Sequence, residues 1–295
     1  MRAVKSWRRR GAWANAGAAP SRRRRRFAIA AVLVVLAYAA LEAYSRWPSG
    51  ADIPALGLRP ATRELALVVH GSFGREEPVI VGLTGALTGM AHASGRDDLE
   101  VLQLDWSPAS DNILRAGPNA ERIGRELGAQ LARLGGVTRL RLVAHSAGAY
   151  MLDPLCEAWR EGRRAAGAEL PADAVRMVFL DPIGLRGLLE RGWGAANFGR
   201  CADQAEAYVN VDDPAPATDR VLRHARTLDV TDAGHAANFD GGGHRWPVEY
   251  YRRLLLGRGW PPPDLPAAAR LPAALPAAPA SASASPATKL GPQRR

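Results

Sequence analysis

The sequence predicts an α/β fold, with a mostly parallel sheet of about six strands flanked by helices. The chain has 295 residues, of which 47% are hydrophobic and 23% are charged, and this composition excludes global disorder and indicates one sizeable core. Short apolar runs rich in β-forming residues alternate with segments of helical periodicity. A parallel sheet covered by helices requires this alternation.

The predicted elements lie between residues 61 and 260, which we take as the folded domain. Apolar residues at positions 123, 127, 131 and 134 form one stripe of a helix over residues 119–134. Another helix begins near Ala147, and a closing helix covers 248–256, with Pro247 suited to its first position. The six predicted strands are residues 65–69, 99–104, 139–144, 175–180, 207–211 and 227–230.

The N-terminus predicts membrane targeting. Residues 1–26 hold ten Lys or Arg and no acidic residue, and residues 27–41 follow without a charge. Residues 27–47 are therefore expected to form a single-pass anchor in the inner or plasma membrane. Positive charges before the anchor place the following domain on the exported side. A cleaved export signal is the alternative, because Ala37, Tyr38 and Ala39 resemble a cleavage site, and the protein would then be secreted or periplasmic.

The net charge of +10 does not indicate a nucleic-acid partner. The ten N-terminal basic residues account for it, and beyond residue 26 the basic and acidic residues number 29 each. A nucleic-acid-binding surface needs basic residues spread over a folded face. We therefore expect no nucleic-acid partner.

Two segments flank the predicted domain, and two cysteines lie inside it. Residues 48–60 read as a linker, and in residues 261–295 Pro and Ala make up 20 of 35 positions, which predicts a disordered tail. Only Cys156 and Cys201 occur, and export would permit a bridge between them. The sequence leaves open whether they are bridged or are two free buried thiols.

The segment from Val143 to Gly148 has the pattern of a nucleophile elbow. An apolar strand ends there, a helix begins, and small residues lie two positions on either side of Ser146. Ala144 replaces the usual first glycine, a mild departure because alanine is also small. We predict Ser146 as the nucleophile, which needs a base to take its proton and donors to hold an oxyanion.

The turn after the first strand supplies candidate oxyanion donors. His70, Gly71 and Ser72 follow the strand directly, at the position where such enzymes build half of the oxyanion hole. We predict the backbone N–H groups of Ser72 and Ala147 as the donors. His70 is expected to be structural, because the base of such a triad lies downstream of the serine.

The acid and the base have several candidates. Asp181 follows one late strand, and Asp212 and Asp213 follow another; spacing alone does not choose among them. His235 and His244 both follow the last strand. His244 is favoured as the base because it lies between three glycines and the closing helix, where a loop can deliver an imidazole.

These residues together resemble the pancreatic lipase and phospholipase A1 superfamily of α/β-hydrolases. The resemblance implies an α/β-hydrolase fold, with Asp181 as the acid and His244 as the base. It covers residues 65 to 185 well and the remainder loosely. It rests on an ordered series: His70-Gly71, Leu104-Asp105-Trp106, Asn119 with Gly124, His145-Ser146-Ala147-Gly148 and Leu180-Asp181-Pro182.

The chain departs from that family in two respects, its few cysteines and its short segment before His244. The segment before His244 leaves little room for a lid. Residues 187–198, which include Leu188, Leu189, Trp193 and Phe198, form either a small apolar cover or ordinary packing.

The expected function is a serine hydrolase that cleaves carboxylic esters of lipid-like substrates through an acyl-enzyme. We expect no cofactor and no metal. An acyltransferase with the same triad and a non-catalytic interaction protein of this fold are the alternatives. Acyl length, head group and oligomeric state stay open.

Overall fold

A computed structural model describes residues 22–258 of the chain. The chain divides into two compact units after Leu41. The basic residues 1–21 and the Pro/Ala-rich tail predicted for residues 261–295 lie outside the described residues.

The apolar N-terminal segment is helical. Helix α1 spans Arg22–Arg46 and includes five arginines that precede the apolar run; its last five residues, from Glu42, belong to the second unit. Its 25 residues correspond to about 37 Å, against about 30 Å for the hydrocarbon core of a bilayer. The helix is long and apolar enough to cross a membrane, and a signal sequence has the same properties.

The second unit contains a six-stranded sheet in which every neighbouring pair of strands is parallel. The spatial order is β2-β1-β3-β4-β5-β6. The strands are β1 (Glu64–Val69), β2 (Leu99–Leu104), β3 (Arg139–His145), β4 (Val175–Leu180), β5 (Gln204–Val209) and β6 (Arg226–Asp229). The prediction of an α/β fold with a parallel sheet of six strands is confirmed.

Helices cover both faces of the sheet because successive strand residues point to opposite sides. On one face, Leu65 and Leu142 pack in a core that includes helices α3 and α4; on the other, Val68 and Val143 pack in a core that includes α2 and α7. The helices of this unit are α2 (Pro78–Ala93), α3 (Ala116–Leu134), α4 (Ala149–Ala165), α5 (Trp193–Asn197), α6 (Thr231–Ala236) and α7 (Trp246–Arg258).

A disulfide joins Cys156 on α4 to Cys201 after α5, and their Cα atoms are 6.1 Å apart. The bridge links residues 45 positions apart in sequence. It decides the question that the sequence left open, since neither cysteine is a free thiol.

The strand order reverses direction between β1 and β3. The chain goes from β1 outward to β2 and then returns to place β3 on the other side of β1. Ligands of open parallel sheets bind at the carboxyl ends of the strands beside such a reversal. Gly71 and Ser72 follow β1, and Ser146 follows β3, so the elements of the predicted site meet there.

Candidate active site

Ser146 lies in a sharp turn between β3 and α4. Strand β3 ends at His145, and Ser146 opens a short 3₁₀ turn over Ser146–Gly148 that leads into α4. Its φ of +55° is a left-handed conformation that non-glycine residues seldom adopt. Such strain is maintained only where the surrounding structure fixes it, and it occurs most often at functional sites.

Two glycines let the turn approach the end of β1. A Cβ at Gly71 would lie 2.7 Å from the Cβ of Ser146, and a Cβ at Gly148 would lie 2.7 Å from the carbonyl oxygen of His70. Side chains at either position would push the serine away from the loop after β1. The two glycines therefore bring the predicted nucleophile next to the predicted oxyanion loop.

The imidazole of His244 is held by two buried carboxylates. Its Nδ1 lies 2.8 Å from Oδ2 of Asp181 and 2.8 Å from Oδ2 of Asp213. Asp181 follows β4, is fully buried and accepts a further hydrogen bond of 2.9 Å from the backbone N–H of Asn210. With Nδ1 donating to a carboxylate, the lone pair of a neutral imidazole lies on Nε2.

Burial, hydrogen bonds and neighbouring charges shift the pKa values of Asp181 and His244. Burial raises the pKa of Asp181, although its hydrogen bonds to His244 and Asn210 oppose this effect. Burial alone would lower the pKa of His244, but hydrogen bonding to Asp181 and the charges of Asp181 and Asp213 raise it above its ordinary value. The two carboxylates thus favour the protonated imidazole.

Three contacts hold the short turn Gly243–Arg245, which we call the histidine turn. Nε2 of His145 lies 2.9 Å from the carbonyl oxygen of His244, and Nδ2 of Asn210 donates to the carbonyl oxygen of Gly243 at 3.1 Å. Arg245 forms an ion pair with Glu77. The position of the imidazole is therefore fixed from β3, from the loop after β5 and from the start of α2.

The other candidate residues, His70, His235 and Asp212, have hydrogen-bond or ion-pair partners other than His244. His70 is fully buried; its Nδ1 contacts the carbonyl oxygen of Gly71 at 2.7 Å, and burial lowers its pKa. His235 is exposed and pairs with exposed Asp212 at 3.2 Å. Asp212 thus faces a different histidine from the one that its neighbour Asp213 contacts.

Ser146 and His244 line one cavity of about 430 Å³, within the range of small-molecule sites. Ser72 and Ala147 line it as well, so the residues predicted for the oxyanion hole face the same space as the predicted nucleophile and base. Most other lining side chains are apolar; they include Ile113, Leu114, Pro118, Tyr150, Ile183, Leu185, Leu188 and Pro216.

The segment 187–198 has two parts with different surroundings. Leu188 lines the cavity and Leu189 is exposed. Trp193 stacks on Tyr150 with ring centroids 5.5 Å apart, and Phe198 is buried. The first part therefore contributes to a cavity wall, whereas the second is ordinary core packing.

Asp181, Asp213 and His244 could also serve as ligands of a cation. One potential ligand atom from each lies within 4.8 Å of the other two. The two 2.8 Å distances join a ring nitrogen to carboxylate oxygens, and they are the distances of charge-assisted hydrogen bonds. Hydrogen bonding accounts for the cluster as it stands.

Sequence reasoning left the role of Asp213 open and missed part of the cavity wall. The contact of both Asp181 and Asp213 with one imidazole depends on the adjacency of β4 and β5. Ser45 and Arg46, at the end of α1, also line the cavity. Tyr44 and Trp47, just beyond the apolar run, are the available signal, but both lie within the predicted anchor, residues 27–47.

No protein-family model matches the sequence, and no curated protein is significantly similar to it.

Proposed function

We propose that the chain is a serine hydrolase that cleaves carboxylic esters with an apolar acyl group. The observation that carries the proposal is the shared cavity of Ser146 and His244, with Nδ1 of His244 bonded to the buried carboxylate of Asp181. A serine hydroxyl becomes an effective nucleophile when a base accepts its proton, and a carboxylate on the far side of the imidazole sets the tautomer that this requires.

The reaction follows from these positions. Oγ of Ser146 attacks the acyl carbon while Nε2 of His244 takes the hydroxyl proton, and the carbonyl oxygen becomes an oxyanion. The backbone N–H groups of Ser72 and Ala147 hold that oxyanion. The intermediate collapses, the C–O bond to the alcohol breaks, and the alcohol leaves with the proton from His244. Water then repeats the two steps on the acyl-enzyme and releases the acid.

Asp181 holds Nδ1 of His244 and stabilises the imidazolium that forms after the first proton transfer. Its complete burial and its bond from Asn210 fix the carboxylate in place. Asp213 shares the same nitrogen atom, and we infer that it adds to this stabilisation. The reaction needs neither a metal nor an organic cofactor.

The apolar cavity wall is the basis for the substrate class. An acyl chain that lies against Ile113, Leu114 and Leu185 leaves its carbonyl carbon near Ser146. A soluble ester such as p-nitrophenyl butyrate contains the same reactive group and serves as the simplest substrate.

The test is hydrolysis of p-nitrophenyl butyrate by the full chain in detergent micelles, with Ser146→Ala and His244→Ala as the variants. We expect release of p-nitrophenol by the unmodified chain, a loss of about 10³-fold or more in each variant, and no effect of a chelator. Unchanged turnover in Ser146→Ala would contradict the proposal. Loss of turnover with the chelator would assign the carboxylate cluster to a cation instead.

A further inference from the structure

Residues 42–46, which follow the apolar run, form hydrogen bonds and an ion pair with loops next to the cavity. The carboxylate of Glu42 accepts a hydrogen bond of 2.7 Å from the backbone N–H of Leu188, and Arg46 forms an ion pair of 2.9 Å with Glu190. On the other side, Nδ2 of Asn112 donates to the hydroxyl of Tyr44 at 2.9 Å. Residues 42–46 are thus part of the wall, and Ser45 and Arg46 face the cavity directly.

Several exposed apolar side chains either line this cavity or directly follow a lining residue in the sequence. Ile113 lines it, and Trp47, Phe73 and Leu189 each directly follow a residue that lines it, namely Arg46, Ser72 and Leu188. These four side chains, which we call the apolar rim, are 61–73% exposed. A cluster of large exposed apolar residues beside a binding cavity marks a contact surface.

The chain itself indicates what this surface contacts. The apolar run ends at Leu41, and Arg46, which lines the cavity, follows after only five residues, at most about 18 Å of extended chain. Tyr44 lies in this short interval and Trp47 directly after it, and Tyr and Trp favour the headgroup level of a bilayer. The chain next to the rim therefore favours a bilayer surface as the partner of the rim.

We propose that the apolar rim docks on the lipid leaflet next to the anchor and that the cavity takes its ester substrate, a lipid, directly from that leaflet. This inference rests on the proposed hydrolase function. Arg46 and Arg186, which line the cavity, are paired with Glu190 and Glu121, so acyl-chain contact rather than headgroup charge selects the substrate. An apolar acyl chain then moves from the bilayer into an apolar cavity without crossing water.

The experiment uses the full chain reconstituted in phosphatidylcholine vesicles. It compares hydrolysis of a fluorogenic phosphatidylcholine in the bilayer with hydrolysis of soluble p-nitrophenyl butyrate. Leu189→Glu and Trp47→Glu place a charge on the rim, and Val221→Glu is the matched control because Val221 is 77% exposed and does not line the cavity. We expect each rim variant to lose about tenfold or more on the bilayer lipid, because a buried charge opposes insertion, with soluble-ester turnover kept within about twofold. The control is expected to change neither.

Equal rates for the rim variants and the unmodified chain on the bilayer lipid would overturn the docking, as would equal losses on both substrates. Absence of soluble-ester turnover in the unmodified chain would overturn the proposed function instead. A second readout is quenching of Trp47 fluorescence by brominated lipids, measured as the difference from Trp47→Phe. Quenching is expected. If none occurs and the Trp47 signal depends on protein concentration, the rim is a contact between copies and the docking proposal is wrong.

Discussion

Nε2 of His145 lies 2.9 Å from the backbone carbonyl oxygen of His244, although 99 residues separate the two along the chain. Because a carbonyl oxygen only accepts, Nε2 of His145 must carry the proton and donate it. His145 is 3% exposed, and burial together with the charge of His244 lowers its pKa to about 3. A neutral buried imidazole beside the predicted nucleophile thus positions the backbone of the predicted base.

Replacing His145 by Leu is expected to lower kcat for p-nitrophenyl butyrate about fivefold while KM changes little. The lost hydrogen bond to the carbonyl oxygen of His244 lets the histidine turn move, and one such bond is worth about 1 kcal/mol. His145→Gln keeps a donor and is expected to recover most of kcat. A loss in Gln equal to that in Leu would show that His145 acts through packing alone.

Because the pKa of His145 is lowered in the folded state, we expect the free energy of unfolding to decrease in acid. The folded state takes up the proton of His145 only near pH 3, whereas the unfolded chain takes it up near pH 6.5. The contribution of His145 to stability is therefore complete above about pH 6.5 and falls as the pH decreases toward 3, by at most about 1.4 kcal/mol per pH unit. We expect the free energy of unfolding of His145→Gln to fall less steeply over this interval.

Urea unfolding in mild detergent at pH 7, 6, 5 and 4, followed by tryptophan fluorescence, measures this difference. The other titrating groups are common to both proteins, so the comparison isolates His145. Parallel pH dependences would mean that the pKa of His145 is the same in the folded and the unfolded chain, which would contradict a neutral, buried imidazole.

We expect unequal losses of kcat when the two carboxylates that contact His244 are replaced one at a time. Asp181→Asn should reduce kcat about 10³-fold, because the amide no longer stabilises the imidazolium from the fully buried position. Asp213→Asn should cost about tenfold or less, since Asp181 still holds Nδ1. Steady-state kinetics of the two variants and of the double variant measure these effects. A larger loss in Asp213→Asn than in Asp181→Asn would exchange the two roles.

The pH profile gives a second measure of Asp213. The proposed mechanism requires neutral His244, and the raised pKa of His244 is expected to place the acid limb of kcat/KM above pH 6.5. Because the charge of Asp213 contributes to that elevation, Asp213→Asn should shift the limb to lower pH. A limb that stays in place would show that Asp213 does not contribute to the raised pKa of His244.

The disulfide predicts a stability difference that depends on redox conditions. Replacing Cys156 and Cys201 together by Ser should lower the free energy of unfolding by about 2–4 kcal/mol, because the bridge closes a loop between residues 45 positions apart. Reductant should lower the stability of the unmodified protein by a similar amount and leave the variant unchanged. A thiol count of two under non-reducing, denaturing conditions in protein isolated from cells would contradict the bridge and the oxidising compartment that it requires.

The sequence predicted the sheet better than the helices around it. Strands β2 and β4 were placed to the residue, because their apolar runs are bounded by turn residues. Helix α2 was missed: three glycines and several β-branched residues lower its helical propensity, and packing of Ile80 and Leu83 against the sheet compensates. Local patterns identify a strand core well but do not report tertiary stabilisation of a weak helix.

In the candidate site, too, local sequence patterns identify some residues, whereas others are identified only by tertiary contacts. A local motif identified Ser146, because a strand, a sharp turn and a helix are consecutive in the chain. The shared contact of Asp181 and Asp213 with His244 depends on the order of β4 and β5 in the sheet, and short-range patterns do not contain that order. The cavity wall formed by Arg46 depends likewise on ion pairs with residues far along the chain.

Labelling with a fluorophosphonate probe shows whether Ser146 is a nucleophile. The full chain in detergent is labelled, digested and examined by mass spectrometry, alongside Ser146→Ala and His244→Ala. We expect one labelled peptide, modified at Ser146, with no label in Ser146→Ala and much slower labelling in His244→Ala. Labelling that persists in Ser146→Ala, or a modified residue other than Ser146, would contradict the assignment of Ser146 as the nucleophile.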